Sequence, residues 1–253
     1  MLTELTYSLP KAIMNIKNLV RSLLNVLHLD LNKGLEYDRL TKVILKKVIR
    51  QDSNCIDVGC HVGEILDIML QHSPHGSHFG FEPIPSLYKA LHNSYKNRAT
   101  IYPYALSDSD GVTTFQFVKN APAFSGIQKR KYDVAEPDIE EITVEMKKLD
   151  DVIPVDVPIT LIKIDVEGAE FSVLKGAKNL LLRNKPTIIF ECGLGASDFY
   201  GTKPEAVFDF LTKEIGLNVS TLRMYLNTNK PLSAGEFCDL FLTNKEYYFV
   251  AYP

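Results

Sequence analysis

The sequence contains no uninterrupted apolar stretch of about 18 residues, and this removes a membrane-spanning helix from the readings open to it. Its first residues lack a continuous apolar core of the kind a secretory signal needs, so a cytoplasmic location is expected. Basic charge is not in excess either. Lys and Arg number 28 against 31 Asp and Glu, a formal net charge of -3, so nothing broad attracts a polyanion. Nucleic acid is therefore an unlikely partner, and a small or neutral acceptor fits better. The four cysteines, Cys55, Cys60, Cys192 and Cys238, form no CxxC pair. Three of them sit in or beside apolar runs, where cysteine behaves as a small buried hydrophobe, so all four read as reduced and structural. Internal repeats and low-complexity tracts are also missing.

What is present is an ordinary globular composition: 253 residues, 45% hydrophobic and 23% charged, enough to bury a substantial core. Across residues 9–29 the apolar positions Ile13, Ile16, Leu19, Val20, Leu23, Leu24 and Leu27 recur at helical spacing. Such an amphipathic helix can pack on a core as an accessory element, dimerise, or lie on a membrane surface. A second helix is expected over 36–49. Together they make residues 1–50 an N-terminal helical extension, with one domain over 51–253 and the oligomeric state open.

From there short β-rich runs alternate with helices, the pattern of a parallel α/β sheet. Strands are predicted at 54–58, 78–82, 100–104, 160–166 and 187–192, and helices begin near Gly63, Pro85, Gly168 and Pro204. An added strand is expected at 112–118, followed by a long loop over 120–138. The runs 217–222 and 246–252 read as a closing antiparallel pair. The expected fold is Rossmann-like, with a mostly parallel seven-stranded sheet and helices on both faces.

The segment NCIDVGCHVGEI, residues 54–65, joins an apolar strand to a helix through a tight turn. Asp57, Gly59 and Gly63 mark a turn whose backbone amides can approach a ligand outside the carboxyl ends of the strands. Glu82 ends the next strand in HFGFEP, a little over 20 residues on, where an acidic group can accept hydrogen bonds from a ribose diol. The pair suggests an adenosine-containing cofactor. The dinucleotide fingerprint, however, needs a second glycine where this sequence has His61, and a side chain there hinders a pyrophosphate. His61 reads as a wall of the site. No second histidine stands at ligand spacing to make it a metal ligand.

The later segment TLIKIDVEGAEFSVLKGA, residues 160–177, carries Asp165 at a strand tip, with Glu167 and Glu170 expected three apart on an early helical turn. These three carboxylates are expected to converge. Glu167 or Glu170 taken singly also has the reading of a surface charge complementing a helix dipole. Lys163 is unusual within a buried strand, and its candidate partners are Asp57, Asp165 and Glu191. Glu191 ends TIIFECG and offers a further strand-tip carboxylate.

These segments together resemble the FkbM-type methyltransferase family. IDVGCHVG is similar to its first motif, FEP to its second and ALSD, residues 105–108, to its third, while LIKIDVEGAEFSVLKGA is the most specific match. KKLDD and FEC fit the stretches around it, so the resemblance runs over about residues 54–193. It implies a class I methyltransferase fold, S-adenosylmethionine as donor, and O-methylation of a sugar or other small-molecule hydroxyl. By position, Asp57, Gly59 and Gly63 would form the methionine-side loop. Glu82 would hold the ribose, with Pro83 also at the cofactor, and Ala105, Leu106 and Ser107 would border the adenine. Asp165 and Glu167 would face the reacting end. His61 departs from the family, where asparagine is common.

Methyl transfer asks the protein to align an acceptor lone pair and manage one proton, so Asp165, or else Glu167 or Glu191, is the expected proton acceptor. A divalent ion held by Asp165 and Glu191 is a second expectation, since hard ions take oxygen ligands. The loop 120–132, with Ser125, Gly126, Lys129, Arg130 and Lys131, either closes over the acceptor or is simply solvated. Three alternatives stand beside this reading. They are an oxidoreductase on the same sheet, a non-catalytic binding partner, and a methyltransferase acting on a protein or a lipid-linked glycan.

Overall fold

The computed structural model describes residues 33–130, 132 and 134–253, and the amphipathic stretch 9–29 and Lys131 lie outside them. Ten strands build two sheets: β1 (Cys55–Val58), β2 (His78–Phe81), β3 (Thr100–Tyr102), β4 (Tyr104–Leu106), β5 (Gly111–Val118), β6 (Ile139–Lys147), β7 (Leu161–Ile164), β8 (Thr187–Glu191), β9 (Asn218–Thr221) and β10 (Tyr248–Tyr252). The larger sheet has seven strands in the order β3-β2-β1-β7-β8-β10-β9. It is mostly parallel, and β10 alone runs against its neighbours, wedged between β8 and β9. The order reverses between β1 and β7, and ligands of open α/β sheets bind at such a switch point.

The period-2 alternation of the strands divides the core into layers. Ile56, Val58, Ile162, Ile164, Ile188 and Phe190 face one way, against Val173, Leu174, Leu180 and Leu181 of the helices Glu170–Gly176 and Lys178–Asn184 and against Phe237 and Phe241 of Ala234–Leu242. Cys55 and Leu161 face the other way, onto Leu45, Leu66, Met69 and Leu91. Helices thus cover both faces. The helix Lys33–Val48 extends this second layer by laying Tyr37, Leu40 and Ile44 on Ile189, Val250 and Tyr252. Each such fully buried aliphatic or aromatic side chain contributes about 1.5–3 kcal/mol of transfer free energy.

Two expectations need correction. The single strand over 100–104 is broken at Pro103, which has no N–H to donate to a ladder, and the chain passes there from the large sheet to the small one. The smaller sheet, β4-β6-β5, contains a strand the sequence reading did not anticipate, β6, which pairs antiparallel with β5 over eight registered positions from Gly111↔Met146 to Val118↔Ile139. Its alternation of Ile142, Val144 and Met146 is a genuine strand signal, masked by Glu140, Glu141, Glu145 and the lysines that follow. The added strand expected at 112–118 is β5.

Candidate active site

The carboxyl ends of β1, β2, β4 and β7 open onto one cleft, which encloses about 570 Å³ including its mouth. That is the size of an ordinary small-molecule or cofactor site. The turn after β1 is tied to β2, because the N–H groups of Gly59 and Cys60 both donate to the Phe81 carbonyl, at 3.0 and 3.1 Å. Gly59 has φ +82, and a Cβ there would run into the Asp165 backbone carbonyl, so no other residue lets the turn pack on the β7 tip. His61 follows at φ +48, and its N–H donates to Glu82 Oε2 at 2.9 Å.

Glu82 is 4% exposed, and its other oxygen accepts from the Ile84 N–H at 3.0 Å. Burial raises its carboxyl to about 7 despite these two amide donors. Asp57 lies deeper, 2% exposed, with Oδ2 lacking a hydrogen-bond partner, and burial raises it to about 6. Of the residues assigned from sequence to a cofactor, Gly59, His61, Glu82, Pro83, Ala105, Leu106 and Asp165 line the cleft. Asp57, Gly63 and Ser107 do not. Gly63 begins the helix Glu64–His72 at φ +88, and its carbonyl accepts from the Tyr95 hydroxyl at 3.0 Å.

On the β7 side the carboxylates assemble differently from the expectation. Glu167 and Glu170 do not share a helical turn, because Glu167 (φ +60) and Gly168 (φ +111) form a left-handed turn and the helix starts only at Glu170. Glu167 is drawn off to the Arg130 guanidinium, in a pair whose side chains are 10% and 17% exposed. Carboxylate oxygens of Asp165, Glu170 and Glu191 instead lie within 4.8 Å of one another. Lys163 reaches this group with Nζ 2.9 Å from Asp165 Oδ2, and Tyr248, from β10, donates its hydroxyl to the same oxygen. Of the three partners foreseen for Lys163, Asp165 is the one it bonds.

Burial pushes Asp165 upward, yet Lys163 and Tyr248 outweigh it and hold the carboxyl below its ordinary value. For Glu191 the balance is reversed, since the charges of Lys163 and Arg130 do not make up for what opposes them. Burial and then the charges of Asp165 and Glu170 push it well above the ordinary range. Glu170 rises to about 7, chiefly through burial, although Oε1 accepts from Val166 N–H at 3.0 Å and Gly168 N–H at 3.1 Å.

The sequence profile of the methyltransferase FkbM domain matches residues 57–217. The chain belongs to the FkbM methyltransferase family. Among solved structures, the methyltransferase FkbM from Methylobacillus flagellatus KT is similar at 14% identity and a TM-score of 0.49, over 94% of this chain and 59% of that one. This chain therefore spans less than two thirds of that protein's length. A putative rRNA-methylase from Clostridium thermocellum aligns at 10% identity and TM-score 0.46, over 83% and 90% of the two chains. A sugar N-methyltransferase from a Streptoalloteichus species aligns at 9% and 0.32, over 61% and 47%. No curated protein matches the sequence.

Within this member of the FkbM family the departure at His61 has a local reason. Its backbone occupies the left-handed region, where asparagine and histidine are both enriched among non-glycine residues, so the turn is kept. Three side chains at the site went unremarked in the sequence. Tyr248 looked like one aromatic among several in a closing strand. Tyr200 accepts the Gln128 N–H at 3.0 Å, and Phe115 forms part of the cleft wall. The loop beyond β5 lies against the cleft through Pro122, Ala123, Ser125 and Ile127. Within it, Arg130 stacks over Phe124 and Tyr132, while Lys129, 67% exposed, pairs with Glu141 at the surface. Among the described residues no helix is long and apolar enough to cross a membrane.

Proposed function

We propose that this FkbM methyltransferase takes S-adenosylmethionine as donor and methylates a hydroxyl of a sugar or other small molecule. The observation that carries the proposal is the placement of Glu82 and Asp165 on opposite sides of one cleft, with the Gly59–His61 turn between them. The residues present fit such a donor. Glu82, fixed by two amides, can accept from a ribose diol, while Ile84, Leu106 and Phe115 offer apolar walls to a flat ring. Asp165 and its neighbouring carboxylates suit a ligand bearing a sulfonium and an ammonium. When bound, the donor supplies a methyl group on a positively charged sulfur, a good leaving group.

The chain's own part is alignment and proton management. Asp165 lines the cleft and is ionised at neutral pH, so it can accept a hydrogen bond from the acceptor hydroxyl and point its lone pair at the methyl group. A bound donor would supply the methyl group and leave as a neutral thioether, and the acceptor oxygen would then carry a strongly acidic proton. A carboxylate of depressed pKa still takes that proton, directly or through water. Glu167 is engaged by Arg130 and Glu191 does not line the cleft, so neither competes for the role. A cytoplasmic setting belongs to this proposal and suits the four free thiols.

Calorimetric titration with S-adenosylmethionine and with NAD, followed by labelled-methyl transfer to a panel of sugars, lipids and protein extracts, tests the reading. Binding of the first donor alone and label on a hydroxyl are expected. Binding of NAD alone, or label only on protein, would overturn it.

A further inference from the structure

Once ionised, the three acids on the β7 side carry more negative charge than the side chains around them compensate. Asp165 follows β7, Glu191 closes the adjacent β8, and Glu170 opens the helix between them, so the fold itself brings three acids to one point. Against them stands the Lys163 ammonium, 2.9 Å from Asp165 Oδ2, with a side chain only 6% exposed. Tyr248 donates to that same oxygen, so both donors are spent on one atom of one acid. Arg130, the other cation nearby, is committed to Glu167. Three carboxyl groups against one ammonium leave two negative charges over when all are ionised, charges that either protons or a cation must neutralise. Isolated charge of this kind is costly away from water.

Glu170 makes the deficit specific. It is 2% exposed, its Oε1 takes the Val166 and Gly168 amides, and its Oε2 is buried with no hydrogen-bond partner. An acid needed only to cap the turn would not require a second, unsatisfied oxygen beside two other carboxylates. Oxygens from three side chains within 4.8 Å of one another, with two charges left to neutralise once all are ionised, are the donor set a hard divalent cation takes. Asp165, 34% exposed at the cleft wall, gives the ion a way in and leaves open coordination positions toward the cleft.

We propose that Asp165, Glu170 and Glu191 bind one hard divalent cation of the Mg²⁺ or Mn²⁺ class at the wall of the cleft. Open positions on the ion then receive one or two oxygens of the acceptor, and this extension rests on the methyl-transfer reading. Coordination acidifies a bound hydroxyl and fixes its lone pair, which favours acceptors with adjacent oxygens, such as vicinal diols.

The test uses the full chain, stripped with chelator, with Mn²⁺ as the probe, followed by electron paramagnetic resonance and calorimetry without cofactor or acceptor. One Mn²⁺ per chain is expected, displaced by Mg²⁺, with affinity weakened about tenfold or more in Glu170→Gln and in Glu191→Gln. Circular dichroism and thermal melts establish that each variant folds. Because Glu170 also caps the turn, Glu191→Gln decides the matter if Glu170→Gln does not fold. Absence of saturable Mn²⁺ binding to the unmodified chain, or unchanged binding in folded Glu191→Gln, overturns the proposal and leaves a shared proton as what holds the acids together. Titration of the same stripped protein with S-adenosylmethionine reads the donor site separately, so either proposal can fail with the other standing.

Discussion

Glu82 and Asp165 border the same cleft from strand tips on either side of β1, yet their surroundings drive them in opposite directions. Glu82 has two backbone amides and no cation, and burial raises it to about 7. Asp165 has an ammonium and a phenol on one oxygen, and it is held below the ordinary carboxylate range. Amides orient a buried acid without keeping it charged, whereas a lysine one pleat away keeps it charged. The first arrangement suits a group that receives hydrogen bonds from a bound ligand. The second suits one that must carry charge where the reaction occurs.

The largest expected effect comes from discharging the second acid. Asp165→Asn should lower methyl transfer at saturating S-adenosylmethionine by about 10²–10⁴-fold, a larger loss than the one it causes in S-adenosylmethionine affinity, as single-turnover kinetics and calorimetry can measure. Equal losses in binding and transfer would erase the distinction drawn between the two acids.

Next is the cost of Glu82 in the ligand-free protein. Its folded value, about 7, lies above the unfolded value near 4.5, so the folded state holds the proton more tightly. The associated stability is full below 4.5 and is lost as pH climbs through 7. Relative to Glu82→Gln, the unmodified protein should lose about 2.5 kcal/mol between about pH 5 and pH 8, read from denaturant melts. A difference that stays flat with pH would show Glu82 to be solvated.

Glu82→Gln should also weaken S-adenosylmethionine binding by about 10–100-fold, the worth of two hydrogen bonds lost from a ribose diol, with transfer at saturating donor little affected. The smallest effect is expected from Lys163→Met. Without its ammonium, Asp165 should come to resemble Glu82, moving the acidic limb of the pH–rate profile upward by about one unit or more while changing the rate at alkaline pH little. A limb that stays in place would assign the depression to Tyr248.

Much of this was readable beforehand, for physical reasons that also explain what was not. Short apolar runs ending in Asp57, Glu82, Asp165 and Glu191 mark buried parallel strands whose carboxyl tips must meet at one sheet edge, because parallel register leaves no other arrangement. Glycines at left-handed positions mark the turn between them. Which acids touch is another matter. Glu167 falls within the left-handed pair Glu167–Gly168 and Glu170 just beyond it, and that places one on Arg130 and the other on Glu191's side. Tyr248 and Arg130 arrive from segments 83 and 37 residues away from their partners, a pairing no local period encodes. The hydrophobic alternation of β6 was present but diluted by its charges, as expected of a strand whose second face meets water.

The insertion of β10 between β8 and β9 has a consequence for synthesis. β8 and β9 lie either side of a gap that only a later segment fills, and that segment also carries Tyr248 to Asp165. A nascent chain released before residue 248 would hold two open strand edges, each with unpaired amides and carbonyls, next to a half-built acid cluster. Such a product would be drawn to other chains through those edges. Quality control at the ribosome would therefore meet an aggregation hazard and a catalytic defect in the same truncated molecule.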